Sequence, residues 1–167
     1  GTLRTWPLSA EDADGERILL RHVLDDPRIA VDPRGDRVAV SADDGPVFVM
    51  PLEGGTARRL EGFSARTDWA TSLAFSPDGR LLAAAPLWGP PEEKVIRVWD
   101  LESGACHVLG PLPGAGEGFV GGVNDVAFVD GDHIVASSGT AGLLLYDRRD
   151  GTHRILSPRP GAAVAVG

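Results

Sequence analysis

The stretch "FSPDGRLLAAA", residues 75–85, decides how the rest of the chain is read. An apolar run breaks at Ser76-Pro77-Asp78-Gly79 and resumes as Leu81-Leu82-Ala83-Ala84-Ala85. Pro77 presets φ for the first central position of a turn, and Asp78 tolerates the second. Gly79 can take the positive φ that a short hairpin loop with a bulge requires. The stretch therefore predicts a β-hairpin. The same grammar occurs in "IAVDPRGDRVAVS" (29–41) and "VAFVDGDHIVASS" (126–138), which makes the hairpin a repeat.

Each hairpin leads into a third apolar run that closes on a Gly-containing turn: "VFVMPLEGG" (47–55), "VIRVWDLESG" (95–104) and "LLLYDRRDG" (143–151). A fourth run follows each time, in "TARRL" (56–60), "ACHVL" (105–109) and "THRIL" (152–156), mixed in polarity as an outer edge strand should be. The unit thus has four strands, a to d. Equivalent anchors stand 44 residues apart from Ala30 to Ala74 and 53 apart from Ala74 to Ala127, the longer spacing absorbing insertions. Four short antiparallel strands at that period predict an all-β chain built of β-propeller blades, not a sandwich or a helical solenoid.

"TDWATSLAFSPDGRLLAAA" (67–85) followed by "KVIRVWDLESG" (94–104) resembles a WD-repeat unit, including its Trp99-Asp100 dipeptide. The flanking units are weaker, with Met50-Pro51 and Tyr146-Asp147 at the dipeptide position. The resemblance covers nearly the whole chain but departs from the family pattern before strand a. There Ser64-Ala65-Arg66 and Phe119-Val120-Gly121-Gly122 stand in place of a Gly-His pair. In the family that His joins a network with a Ser or Thr on strand b, an Asp in the b–c turn and the Trp on strand c. The unit at 29–60 keeps Ser41 and Asp44 but has Met50, and the unit at 73–109 keeps Trp99 but has Ala85. Blade cohesion is therefore expected to rest on apolar packing more than on that network.

The repeat divides the chain into a partial blade at 1–21, blades at about 28–60, 72–109 and 125–156, and the first strand of a next blade at 161–167. In the partial blade "GTLRTWPL" (1–8) reads as strand c, with Trp6 in the place of Trp99, and "ERILLR" (16–21) as strand d. Propellers close with roughly 4 to 8 blades, so three complete blades plus partial ones predict about half a ring. Uncovered blade edges favour association. The expectation is a segment of a longer polypeptide, or chains that complete one another, with the remaining blades as partners.

Composition narrows the function classes. The 167 residues are 43% hydrophobic, and no apolar run approaches the roughly 18 residues of a membrane span or the pattern of a signal peptide, so no membrane partner is expected. A formal charge of −8 disfavours nucleic acid as a partner, and no basic cluster exceeds Arg58-Arg59 or Arg148-Arg149. Cys106 is the single cysteine, which excludes an internal disulfide and fits a reducing, cytoplasmic setting. Of 16 basic residues 15 are Arg and only Lys94 is Lys, a bias that points to GC-rich bacterial coding.

Stretches that invite a chemical reading have plainer ones. "GEGFVG" (116–121) fits a dinucleotide fingerprint literally, but a strand follows where the phosphate-binding helix N-terminus should stand, and Glu117 would repel phosphate. "DADG" (12–15) places Ala10 and Arg21 where a calcium loop needs carboxylates. Cys106 and His107 are neighbours on a strand and point to opposite faces, and His22, His133 and His153 are isolated. No Gly-x-Ser-x-Gly elbow or triad spacing occurs. Strand a offers apolar residues, and its one polar pair, Asn124-Asp125, suits a strand tie better than acid–base work. No catalytic residue, cofactor or metal is expected in this segment.

Recognition remains. In an up-and-down meander the a–b and c–d turns share one end of the ring and the b–c and d–a loops share the other. The first end has tight turns. The second carries "PLWGPPEEK" (86–94), "EGFSARTDWA" (61–70) and "GPLPGAGEGFVGG" (110–122). These loops bring Phe63, Arg66, Trp69, Trp88 and Phe119 toward one rim; Trp88 sits between prolines that hold its loop extended, and Pro90 and Pro91 join the candidate contacts. Aromatic residues and Arg are enriched in binding hot spots, so these seven are the expected contacts for a protein or peptide partner. The alternative, that Trp69 and Phe119 pack beneath their own loops, stays open. The resemblance implies a noncatalytic interaction, sensor or scaffold module, as in repeats attached to bacterial signalling ATPases or kinases. It also leaves room for a propeller hydrolase or lactonase whose active residues lie elsewhere, or for a structural subunit of a larger assembly.

Overall fold

The computed structural model describes residues 2–5, 17–21, 27–41, 46–63, 70–116, 118 and 120–159. They form fourteen strands and no α-helix. The strands are β1 (Thr2–Thr5), β2 (Arg17–Arg21), β3 (Ile29–Val31), β4 (Arg37–Ser41), β5 (Val47–Pro51), β6 (Arg58–Leu60) and β7 (Ala70–Phe75), then β8 (Leu81–Pro86), β9 (Ile96–Asp100), β10 (Cys106–Leu109), β11 (Val123–Phe128), β12 (His133–Ser138), β13 (Gly142–Asp147) and β14 (His153–Ser157). Three sheets of four antiparallel strands run β3-β4-β5-β6, β7-β8-β9-β10 and β11-β12-β13-β14, each in chain order, and β1-β2 make a two-stranded sheet. This is the meander of a propeller blade, repeated.

The hairpin of residues 75–85 forms as its residues dictate. Ser76 N donates to Leu81 O at 3.0 Å, Gly79 N donates to Ser76 O at 2.8 Å, and Gly79 takes φ of 67°. Asp32 and Gly35 close the preceding a–b turn in the same way, with Gly35 at φ 74°. A further bond recurs in all three blades: Leu52 N donates to Asp36 O, Leu101 N to Arg80 O and Arg148 N to Asp132 O, tying each c–d turn to its a–b turn. Ala30 pairs with Ala39, Ala74 with Ala83 and Ala127 with Val135, so the three anchors occupy equivalent registers on strand a. The strand of a next blade expected at 161–167 lies outside the described residues, as does Trp6.

Each apolar cluster is an interface between consecutive blades. Leu82, Ala84 and Trp99 join Ala39, Val47, Val49 and Leu60 of the preceding blade. Leu81, Ala83, Ile96 and Val98 point the other way and pack against Val126, Ile134, Leu144 and Tyr146. Successive residues of a strand face opposite sides, so a strand buried on both faces must be apolar at every position. That is why β8 reads Leu-Leu-Ala-Ala-Ala and is buried throughout. The larger residues at the dipeptide position, Met50, Trp99 and Tyr146, all turn toward the preceding sheet.

Strand a of the first blade carries apolar residues that are not buried. Ile29 and Val31 are 52% and 54% exposed. They pair with Val40 and Val38, and on that face Leu3 and Leu19 of β1 and β2 pack against the Val38, Val40 and Met50 cluster. Those two strands are of the c and d type. β7 packs against the Ala30 face of β3, but no described strand covers the face of Ile29 and Val31, so those two keep their exposure.

Candidate protein-interaction face

The long b–c loop after β8 and the d–a loop after β10 form one packed body. Lys94 organises it. Its side chain is completely buried, and its Nζ donates to the carbonyls of Gly116 and Val120, the latter at 2.6 Å. Leu112 N donates to Lys94 O at 3.1 Å and Gly89 N to Gly118 O at 3.2 Å, closing the contact from the backbone side. Pro90 and Pro91 lead into one turn of 3-10 helix, Pro91–Glu93, which delivers Lys94 to this position. A buried ammonium needs its protons satisfied, and the carbonyls of an irregular loop supply acceptors that no strand ladder uses.

Two glycines allow the close approach. A Cβ on Gly122 would stand 1.7 Å from the carbonyl oxygen of Leu87, and one on Gly121, whose φ is 71°, would stand 2.5 Å from Gly114 O. On this platform Trp88 is half-buried, with its Nε1 3.7 Å from where a Cβ of Gly118 would lie. Pro91 is half-buried, whereas Pro90 is buried and its carbonyl accepts from Glu93 N.

Phe63 lies in the neighbouring d–a loop, where it packs on the blade interface. Its ring centroid is 5.9 Å from that of Trp99, and the guanidinium carbon of Arg97 sits 4.5 Å from its centre. Burial lowers the pKa of Arg97, because desolvation disfavours its charged form, and its Nη1 is buried without a hydrogen-bond partner. The π face of Phe63 is the compensation the fold supplies. Trp99 Nε1 donates to Glu61 O at 2.9 Å, so the blade tryptophan bonds loop backbone where the family would offer a strand b hydroxyl. Of the seven expected contacts, the structure brings Trp88, Pro90 and Pro91 together on one loop and sets Phe63 in the adjacent interface. Arg66, Trp69 and Phe119 lie outside the described residues.

Sequence reasoning passed over Lys94 and Arg97. The signal for Lys94 was its being the one Lys among 15 Arg, placed inside an insertion. An ammonium can point three protons at separate carbonyls, which a planar guanidinium cannot do in the same space.

The polar pair on strand a acts as a tie. Ser72 Oγ donates to Asp125 Oδ1 at 2.6 Å, and Val126 N donates to Ser72 Oγ at 2.9 Å. Strands a of adjacent blades are thereby linked, beside register shifts at Ala70/Ser72 and Val123/Asp125. Among the described residues no group of three or more His, Cys, Asp or Glu could hold a metal ion, and no helix is long and apolar enough to cross a membrane. β11 follows the loop at 110–122, so the phosphate-loop reading has no helix to use. The calcium-like "DADG" lies outside the described residues. Tyr146 is fully buried, and burial pushes its phenol up to about 12.

Consecutive four-stranded meanders, packed face to face and tied through strand a, define a β-propeller segment with its longer loops gathered at one end. Residues 57–100 match the family model "WD domain, G-beta repeat". That span contains β6 of one blade and β7, β8 and β9 of the next, so the sequence repeat straddles two sheets. The chain is 34% identical over 83 residues to the 66 kDa stress protein of Physarum polycephalum, a match covering 50% of this chain and 13% of that protein. It is 36% identical over 70 residues to WD repeat-containing protein SL1-17 of Schistosoma mansoni, covering 42% and 21% respectively. The crystal structure of the Myceliophteria thermophila Cps50 (Swd1) β-propeller domain aligns with a TM-score of 0.57 at 23% identity, over 75% of this chain and 36% of that one. Together these findings support a WD-repeat propeller segment, a domain type that typically serves as a protein–protein interaction scaffold.

Proposed function

We propose that this chain is a noncatalytic interaction module whose protein or peptide partner docks on the rim built by loops 61–70, 86–94 and 110–122. The observation that carries this reading is the Lys94 staple, which fixes two irregular loops to each other and leaves Trp88 half-exposed on their surface. A propeller blade does not need the b–c insertion: the preceding blade joins β4 to β5 across residues 42–46, whereas β8 and β9 are separated by nine residues. Rigid aromatic side chains on a preorganised loop lose little entropy on binding. Membership of a cytoplasmic bacterial signalling protein, with an ATPase or kinase elsewhere in the polypeptide, is the finer form of the proposal. It rests on the Arg bias and on the family resemblance, while the named relatives are from eukaryotes. The test is affinity capture with the full-length chain immobilised as wild type and as Trp88→Ala. The proposal expects a discrete bound protein that the variant loses at unchanged thermal midpoint. A bound protein retained equally by both would overturn the assignment of this rim.

A further inference from the structure

Arg58 and Arg154 hold the same register in the first and third complete blades. Arg58 pairs with Val49 on the neighbouring strand and Arg154 pairs with Leu145. Arg58 uses that position at the boundary with the second blade, where its Nη1 donates to the carbonyl of Leu101 in the c–d turn. Leu101 packs against the cluster that contains Val49, and Val49, Thr56, Arg58 and Leu101 line one cleft. The third blade repeats the cleft with Leu145, Thr152 and Arg154. His133 and Asp147, at the registers of Arg37 and Pro51, complete a cavity of about 250 Å³.

In the third blade these groups are not engaged. Val49 and Val98 are 7% and 0% exposed, but their counterpart Leu145 is only half-buried. Arg154 is exposed and makes no hydrogen bond or ion pair among the described residues. A carboxylate would be a poor match for it. Asp147 lines the same cavity, with Asp130 and Asp132 close by at His133 and Arg148. A neutral carbonyl, the group that Arg58 takes, meets no such repulsion. The two boundaries between complete blades also show which turn residue suits which strand d. Arg58 meets a turn that opens on Leu101. His107, at the same register opposite Val98, precedes a turn that opens on Arg148. Arg148 is kept by its own blade, donating to Gly131 O at 3.1 Å and to Asp132 Oδ1 at 3.2 Å. Neither boundary sets Arg against Arg.

We infer that the outward face of the third blade docks the hairpin of a partner sheet whose c–d turn opens on an apolar residue. That side chain packs on Leu145, and the carbonyl of the same residue accepts from Arg154, as the Leu101 carbonyl accepts from Arg58. Arg154 is thus a positioning residue, and it discriminates. A turn opening on Arg would lose the apolar contact and meet like charge. A second copy of this chain does not supply the occupant. Its Leu52 and Leu101 already pack at blade boundaries of their own, and its other described c–d turn opens on Arg148. The inference rests on the blade boundaries and is independent of the long-loop rim.

Histidine ring signals of the full chain, labelled at the ring carbons, report on the cavity, because His133 and His153 line it and His107 does not. The probe is a backbone-cyclised hairpin peptide with the sequence of residues 96–109, Ser replacing Cys106, made also with Leu101→Arg. The Leu hairpin should shift His133 and His153 saturably and leave His107 unmoved. The Arg hairpin should bind about tenfold more weakly, and Arg154→Gln in the protein should narrow that gap. Within the chain, Leu101→Arg should lower the thermal midpoint by roughly 3 °C, and by about half as much when Arg58→Gln is also present. A loss that is the same in both backgrounds would overturn the discrimination by Arg, and the proposal with it. Equal binding of the two hairpins, or no movement of His133 and His153 at about 5 mM hairpin, would overturn it as well. A shift that follows protein concentration alone would assign the face to a second copy and refute the proposal.

Discussion

The Nζ of Lys94 lies 2.6 Å from the carbonyl oxygen of Val120, one of the bonds that join the loop after β8 to the loop after β10 in a single surface. Gly116 and Val120 both accept through backbone carbonyls, so these bonds fix loop shape through the main chain. The charge is sealed from solvent, which makes the contact strong only while every proton has an acceptor.

Lys94→Met keeps the volume and removes the donors. The carbonyls of Gly116 and Val120 then lose their bonds, and urea denaturation should show a loss of about 2–4 kcal/mol. Partner binding at the rim should fall in parallel, because the platform under Trp88 loosens.

Trp88→Ala should separate stability from binding in the opposite sense. The ring is half-buried on an insertion, so the thermal midpoint should drop by the equivalent of roughly 1 kcal/mol or less. A true anchor should lose about 2 kcal/mol or more of partner affinity by calorimetry. A large stability loss with intact binding would make Trp88 a plug of the loop body.

Gly122→Ala tests the close approach of the loops. Its Cβ would stand 1.7 Å from Leu87 O, a backbone atom that cannot swing aside. The variant should unfold with a loss of roughly 3 kcal/mol or more, or fail to accumulate as folded protein. Gly131→Ala is the matched control, since nothing lies within 4 Å of its Cβ position. It should be neutral to slightly stabilising, within about 1 kcal/mol.

The pH dependence at the acid end should carry the signature of Asp100. Hydrogen bonds from the Ser103 backbone, then the Arg80 guanidinium, lower its pKa from 3.8 to about 2. A depressed carboxylate pKa gives stability that is fully present above the unfolded value of 3.8 and is lost as pH falls through about 2. Stability of the wild type should therefore decline across that window more steeply than that of Asp100→Asn, measured by denaturation at each pH. Identical acid limbs for the two proteins would show that Asp100 does not titrate differently in the folded state.

The repeat was legible because propeller blades are local structures. A Pro-Asp-Gly turn closes within a few residues, as at Ser76 and Gly79, and a strand buried on both faces must be apolar throughout, as β8 is. These rules act over short stretches of chain, so periodicity exposed the four-stranded unit, its anchors at Ala30, Ala74 and Ala127, and the end of the blades that carries the longer loops. The sequence marked Asp125 as a polar residue suited to a strand tie, but its partner Ser72, 53 residues away in the preceding blade, came from the tertiary structure.

What only the tertiary structure decided are contacts between segments far apart in the chain. The sequence by itself determined the blades, because hydrogen bonding and alternation along a meander are set by near neighbours. It did not determine that Lys94 would be buried against a loop 22 and 26 residues away, that Arg97 would lie over Phe63, or that Arg58 would reach across a blade boundary to Leu101. Nor did it show that Ile29 and Val31, apolar like their counterparts, would stand exposed. Burial and pairing at such positions depend on which surface the fold lays against them, and a side chain's own chemistry carries no record of that neighbour.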